Sequence, residues 1–393
     1  MKKYYIFFRK SLPLEPCRDI AHYIHDVQCA NAGAGLGYDT VMVYCGEDSP
    51  PFHFLKYFFP FRLEKADKRF RDFYGASDKL DFVKLVFPLF TRRSKPLHEP
   101  AMLIKYYIPF HIAPRAFLIH TQDFLMVEAA VRAKVPVIYE QHYLANSAFK
   151  EDVVNSPFFK LAVVQSGVTK QSLIEHGMPQ NKVAVMHNGC EPGFLIRQKE
   201  QADAWRRELL SGGQDYLAVY SGSLFPFKGI GIIIGCAKQM PQIKFVLTGG
   251  TLEQIEGYRK IAQDIGNISF LGWIEPRSRL EGLFQAADIM LHPHMYRYGD
   301  HTDPVKFFQY LASGTPIAAT DLPFLEEFKN KNLALEICKP GSLDEFIPCI
   351  RSVLKKYPRK QEGYAENIEL AKHFTWEKRM ERILELAGLG KKV

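Results

Sequence analysis

Short apolar runs alternate with longer stretches in which apolar residues recur every three or four positions, and this alternation covers most of the chain. Tyr4 to Phe8 is apolar and aromatic throughout, which predicts a buried strand. A helix from Pro16 to about Ala32 and a strand from Thr40 to Tyr44 follow. Ala116 to Ile119, Val135 to Tyr139, Leu161 to Val164 and Val183 to Met186 read as further strands, with a helical segment to Ala133 between the first two. Sharp turns are marked at Asn188-Gly189 and Pro192-Gly193. After a predicted helix over Ala202 to Leu210, a second series begins. Its strands are Tyr216 to Tyr220, Lys244 to Leu247, Ile268 to Phe270, Ile289 to His292 and Ile317 to Thr320. Helices alternate with them: Gly229 to about Met240, Arg279 to Ala286, a short one from Asp303, and Leu343 to Leu354, with a last helix over Thr375 to Leu389. Such alternation predicts parallel sheets covered on both faces, so the chain reads as α/β, two doubly wound halves spanning 1–190 and 191–372, then the terminal helix, 373–393.

The helix starting near Asp303 has both ends marked. Asp303 suits the N-cap, Pro304 the first helical position and Gly314 a left-handed stop. Lys306, Gln309 and Tyr310 share one face, with Lys306 in the first turn beside the positive end of the dipole. A cation is unfavourable there unless an anion docks at that helix end, and a phosphate is the natural candidate. Gly33 to Gly37 superficially matches a dinucleotide fingerprint, but it lies at a helix end before a strand, the reverse of the required order, and reads as a helix-to-strand turn. In the first half, His120 and Asp123 follow one predicted strand, Glu140 and His142 another. These four share the rim where open parallel sheets bind ligands.

Composition adds limits. A chain of 393 residues, 47% hydrophobic, has room for two cores and excludes a disordered or fibrous protein. No apolar run approaches the ~20 residues of a membrane span, and the short apolar opening reads as a first strand rather than a leader. Seven cysteines without a Cys-x-x-Cys pair point to reduced thiols and a cytoplasmic protein. The net charge of +8 favours acidic partners. Nucleic acid is disfavoured, because the basic residues are interleaved with phenylalanines instead of forming a stripe. The stretch 52–96 concentrates these, with Lys56, Arg62, Lys65, Arg69, Arg92 and Arg93 among aromatics. It reads either as a contact with anionic headgroups at the inner membrane face or an amphipathic acceptor, or as an insertion packed on its own domain.

A series of spaced blocks resembles the retaining glycosyltransferases of family 4 (group 1), which have the GT-B fold. The blocks are Val183 to Gly189, Tyr220 to Leu224 with Lys228-Gly229, Ser269 to Gly272, Ala287 to Pro293, Pro304 to Pro316, and Phe374 to Glu377. The resemblance implies two Rossmann-like domains facing across a cleft, with the C-terminal helix crossing back to the first. The second domain would bind a nucleotide-sugar and the first a glycan or polyprenyl-linked glycan acceptor. It further implies backbone approach to the nucleotide at Gly222 and Ser223, with Gly249 also among the donor-binding positions. Lys228 and Lys306 would hold the diphosphate, Gly272, Trp273 and Ile274 would lie against the base, and Gln309 would meet the ribose. His120 would position the donor sugar. The chain departs from the family in having His301 and Gln309 where glutamates are usual, and Ser223 where an arginine is common. Arg9-Lys10 replaces the first glycine-rich loop, so Arg9 or Lys10 would meet phosphate instead. No Asp-x-Asp pair is present to hold a divalent ion under a diphosphate, so the lysines would supply the charge: no metal and no cofactor are expected. The implied activity is a retaining transferase of hexosyl type using a UDP-sugar for polysaccharide or glycoconjugate synthesis. The alternative is a nucleotide-sugar binding protein without efficient transfer.

Overall fold

In the computed structural model, which describes residues 2–15, 17, 20–46, 55–87, 100–295 and 303–390, the first apolar run forms strand β1, Tyr4–Arg9, whose four central residues are all buried. Continuous rather than alternating burial is what a parallel strand covered on both faces requires. The chain divides into two compact units. One comprises residues 1–14, 21–187 and 376–393, the other 15–20 and 188–375.

In the first unit, β1 lies mid-sheet with β2 (Thr40–Gly46), β3 (Glu64–Lys65), β4 (Asp81–Val86), β5 (Ala116–Thr121), β6 (Val137–Gln141), β7 (Phe159–Val164) and β8 (Val183–Val185). Their order is β3-β4-β2-β1-β5-β6-β7-β8, parallel except for the two-residue edge strand β3. The first helix, described over Ile20–Gly35, ends in the glycine run, where Gly37 has φ 88° and turns the chain into β2. Residues 52–96 are not wholly an insertion. Within them β4 pairs with β2 over six residues, and Val83 and Leu85 join the core between sheet and helices. Arg92 and Arg93 lie outside the described residues.

The second unit's sheet contains β9 (Tyr216–Ser221), β10 (Ile243–Thr248), β11 (Ile268–Gly272), β12 (Ile289–His292), β13 (Ile317–Thr320) and β14 (Leu335–Cys338), all parallel, in the order β11-β10-β9-β12-β13-β14. Along β9 the side chains alternate between two cores, Leu217 and Val219 in one, Ala218 and Tyr220 in the other. The sheet reverses its winding between β9 and β12, the topological switch point at which open α/β sheets bind ligands beyond their C-terminal strand ends.

Two residues expected as N-caps serve otherwise. The helix expected from Asp303 spans Val305–Ser313, with Pro304 at its cap position and no side-chain cap bond, while Gly314 does close it in the left-handed region at φ 68°. Asp303 is drawn away because its carboxylate accepts the Asn188 backbone N–H, and its own carbonyl accepts the Asn188 side-chain amide. The terminal helix is Trp376–Leu386, and Thr375 instead forms a backbone bridge with Cys190.

Candidate functional site

At the switch point of the second sheet, β9 is followed by Gly222, whose φ of +133° is a glycine conformation. A Cβ there would come within 2.6 Å of Lys306 Nζ, so the missing side chain is what admits the lysine. Lys306 lies 4.0 Å from the centroid of the Tyr220 ring, a cation–π arrangement, and its Nζ is buried with no hydrogen-bond partner among the described residues. One turn along the same helix, Tyr310 accepts the Ser221 backbone N–H at 2.9 Å and fixes that helix against the end of β9. Lys228 sits in the turn after β9, its Nζ 5.1 Å from the Phe227 ring, with no ion-pair partner among the described residues. The tight turn is possible because Gly229, at φ +78°, packs where a Cβ would lie 1.9 Å from the Pro293 carbonyl oxygen.

Two histidines not anticipated from the sequence complete this pocket wall. His292 ends β12 and His294 follows Pro293, their rings 4.0 Å apart. They are 0% and 2% exposed. Both His292 nitrogens and His294 Nε2 are without partners among the described residues. The only sequence signal was His-Pro-His beyond an apolar strand, which specifies no partner. Burial lowers the pKa of Lys228 to about 8. Burial, with Lys228 nearby, drives Lys306 well below its ordinary value, and burial plus the two lysines does the same to both histidines. The site therefore gathers cation-capable groups and holds no carboxylate against them among the described residues. Beside it, the first turn of the helix Val305–Ser313 has no side-chain cap. Chemically, this arrangement suits a multiply charged anion.

The other expected donor positions have mixed placements. Gly249 N–H donates to the Gly272 carbonyl at 2.7 Å, and Gly222 N–H to the Thr248 carbonyl at 3.0 Å, so these strand ends are stitched together. Ser223 accepts the Tyr220 hydroxyl on its carbonyl. Trp273 and Ile274 are half-buried just beyond β11. Gln309 is not a free group: its amide donates to Glu191 Oε2 at 2.8 Å, and Arg277 donates to Oε1 of the same carboxylate. His301 lies outside the described residues.

In the first unit the expected rim residues form a buried network instead. His120 is 3% exposed, with Nε2 on Glu140 Oε1 at 2.8 Å and Nδ1 against the Tyr5 hydroxyl at 2.8 Å. Its ring stacks on Phe7 at 4.8 Å. With the first nitrogen donating to a carboxylate and the second accepting from Tyr5, neither is left for a substrate, and the expected sugar-positioning role does not fit this geometry. Glu140 also takes both terminal nitrogens of Arg379, at 2.9 and 3.2 Å, and contacts His25 and His142, each at 3.2 Å. Burial would raise its pKa, but Arg379 and His25 hold it well below the carboxylate range. His142 pairs through Nδ1 with His22, and burial and His25 lower it to about 4. Arg9 and Lys10, expected to meet phosphate, are matched by carboxylates, Arg9 by Asp26 at 3.1 Å and Lys10 by Asp123 at 3.0 Å. Asp123 also caps the helix Phe124–Arg132 through the Leu125 N–H. His25, Cys29 and Glu140 come close enough together to suggest a metal site. The Arg379 guanidinium already occupies that role, bonding Glu140 and reaching Cys29 Sγ at 3.6 Å, and a second cation beside it would be repelled.

The sequence pattern of the family described as glycosyl transferases group 1 matches residues 201–371. The chain is 24% identical over 207 residues to a processive diacylglycerol alpha-glucosyltransferase of Acholeplasma laidlawii, covering 51% of this chain and 57% of that protein. It is 23% identical over 214 residues to the putative teichuronic acid biosynthesis glycosyltransferase TuaH of Bacillus subtilis, covering 54% and 52%. The chain thus spans about half the length of the curated relatives it matches. Among solved structures, Anabaena Alr3699/HepE in complex with UDP and glucose superposes with a TM-score of 0.67 at 15% identity, covering 98% of this chain and 99% of that one. A glycosyltransferase from Rickettsia africae gives 0.70 at 13% identity, covering 98% of both. The chain therefore carries a group 1 glycosyl transferase domain in its second unit and has the GT-B fold, with two Rossmann-like α/β domains.

Proposed function

We propose that this protein transfers a hexosyl unit from a nucleotide-sugar, a UDP-sugar first among them, to a glycan or lipid-linked glycan, with retention of configuration and without a metal. The observation that carries the reading is the pair Lys228 and Lys306, cations without a counter-ion among the described residues, at the switch point of a sheet in a group 1 domain. Breaking the bond between sugar and nucleoside diphosphate builds negative charge on the departing phosphate. Preorganised donors aimed there are worth about 3–4 kcal/mol each. A bound diphosphate would also draw both lysines back to their charged forms, since opposite charge reverses what burial does to them. The first domain offers no free carboxylate or imidazole among His120, Asp123, Glu140 and His142, which favours a same-face displacement in which a departing phosphate oxygen takes the acceptor proton. UDP-bound HepE, of the same fold, supports the choice of nucleotide.

Thermal-shift titration with UDP-, GDP- and ADP-sugars tests this reading. The matching nucleotide is expected to raise the melting temperature, by about 2.7 kcal/mol of added stability at one hundred times its dissociation constant, with no loss in excess chelator. Absence of any shift, or transfer abolished by chelator, would overturn the donor or the metal-free part respectively. A second reading, binding without transfer, draws on the Gln309–Glu191 bond, which occupies the side chain expected at the ribose. Release of UDP on incubation with an acceptor excludes it.

A lipid-linked acceptor is supported by the diacylglycerol-directed relative and by exposed apolar side chains on two neighbouring elements of the first unit. Leu55, Phe58 and Phe59 line the short helix Leu55–Phe58 and its end, and Tyr106 and Phe110 lie on the helix Pro100–Tyr107 and the π-helical turn Ile108–Ile112 after it. No helix among the described residues is long and apolar enough to cross a membrane. A peripheral contact would use this face. Phe59→Asp with Phe110→Asp is expected to reduce co-sedimentation with anionic vesicles several-fold while leaving thermal stability unchanged. Equal sedimentation of variant and wild type would remove the proposal.

A further inference from the structure

The His292-Pro293-His294 segment is built into the diphosphate pocket more firmly than a loop would be. The Thr320 hydroxyl, at the end of β13, reaches the carbonyls of His292 and His294 at 3.2 and 2.6 Å. The Met295 N–H donates to the Phe227 carbonyl at 2.9 Å, which ties the segment to the turn bearing Lys228. On the remaining sides His292 meets Phe307 and Phe324 edge-on. The charged and titratable groups that act on these two rings are each other, Lys228 from the turn after β9 and Lys306 from the helix Val305–Ser313. No carboxylate among the described residues acts on either.

Ordinary core histidines are satisfied by a backbone or side-chain partner, because an unmade hydrogen bond in the interior is costly. Here three imidazole nitrogens and a lysine amine, gathered at one strand end, are all without partners among the described residues. Crowded together out of water, these groups cannot all be charged while the pocket is empty. A diphosphate supplies both the missing acceptors and the missing negative charge.

We propose that His294, backed by His292, is a third arm of the diphosphate site beside Lys228 and Lys306, and that donor binding loads this cluster with protons from solvent. His294 Nε2–H then donates to a phosphate oxygen, and the proton it carries stays beside the leaving group as charge builds there. The inference rests on the nucleotide-sugar reading, and it adds the histidines' proton uptake to that of the two lysines.

Calorimetric titration of the intact protein with UDP-glucose, whose diphosphate diester does not titrate near neutrality, measures this directly. Run at pH 7.0 in two non-phosphate buffers of different ionisation enthalpy, wild type is expected to take up about one proton or more, with affinity falling about tenfold per pH unit for each proton taken up. His294→Gln keeps a hydrogen-bond donor but cannot titrate. It is expected to take up fewer protons and to show a flatter pH profile, with affinity approaching wild type at the alkaline end. Circular dichroism establishes that the variant is folded, and His292→Gln serves as a second variant. Binding with no buffer dependence, or uptake unchanged in both variants, overturns the inference and leaves the donor reading standing. No binding of UDP-, GDP- or ADP-sugars overturns both.

Discussion

Lys306→Met is expected to slow sugar transfer by about 10²–10³-fold and, in the same protein, to raise the melting temperature of the empty form. The two effects share one cause. The Lys306 amine is buried against the Tyr220 ring, close to the Gly222 backbone and within reach of the Lys228 charge, with no partner among the described residues. Folding therefore disfavours its charged form, and methionine fills a similar volume without that burden. The sign can be followed with pH. A lysine whose folded pKa lies below its unfolded value of 10.5 costs stability in full below the folded pKa, and the cost fades as pH rises towards 10.5. The stability advantage of Lys306→Met should accordingly narrow on the alkaline side, and Lys228 adds a similar slope to both proteins between about 8 and 10.5. Donor affinity runs the opposite way, weakening as the lysines lose their protons. Scanning calorimetry across pH together with transfer assays checks both halves. Undiminished turnover would remove Lys306 from the site, and an unchanged or lower melting temperature would show that its burial carries no cost.

Arg379→Ala is expected to destabilise the first unit by about 3–5 kcal/mol, because it strands the buried Glu140 carboxylate among histidines that burial keeps neutral. For a unit of this size that corresponds to roughly 6–20 °C in melting temperature. Arg379 also donates to the His187 carbonyl at 2.9 Å, and Trp376 on the same helix packs edge-on against His25 at 5.1 Å. The terminal helix is thus held by a charge pair at the centre of the sheet's polar network, and the loss should appear chiefly as detachment of that helix, read by hydrogen exchange. The double variant Glu140→Leu/Arg379→Met should recover much of the loss, since no charge is then left buried. Acid reports on the same network. Burial lowers His25, and His142 to about 4, so stability falls as pH drops from 6.5 through that range. Glu140, depressed by Arg379 and His25, adds a loss that begins below its ordinary value of 4.5. A wild-type melting temperature flat from pH 7 to pH 4, or an Arg379→Ala protein as stable as wild type, would contradict this account.

Much of the architecture was written locally. Apolar runs in strands buried on both faces, separated by amphipathic helices, specify a doubly wound α/β chain whatever the distant contacts are, and the strands read from the pattern lie within two residues of their observed places. Val135 to Tyr139 began two residues early, because Val135 is apolar but its N–H turns back to the Ala130 carbonyl of the preceding helix, and Pro136 has no N–H to give the ladder. Lys306 was legible for a similar reason, since a cation in a first helical turn is costly unless an anion is bound there, whereas Lys228 came only with the family resemblance.

What the sequence could not decide was which polar group satisfies which. His120 looked like a rim residue because it ends an apolar strand, but whether it faces a ligand or the interior depends on Tyr5, Glu140 and Arg379, the last 239 residues beyond Glu140. Asp303 had the right type and spacing for an N-cap and was taken by Asn188 from 115 residues away. Lys10 and Arg9 read as free cations until the fold set carboxylates beside them. Residues 52–96 read as a headgroup or acceptor contact or as an insertion, because their aromatic and basic character masked β4. Periodicity records how deeply a position is buried, since burial follows from the local geometry of helix and strand. Hydrogen-bond and charge partners are chosen by the closing of the sheets. The sequence by itself therefore determined the two wound sheets and singled out Lys306 by its place at a helix start, and only the tertiary structure decided that His292 and His294 stand beside it without partners among the described residues.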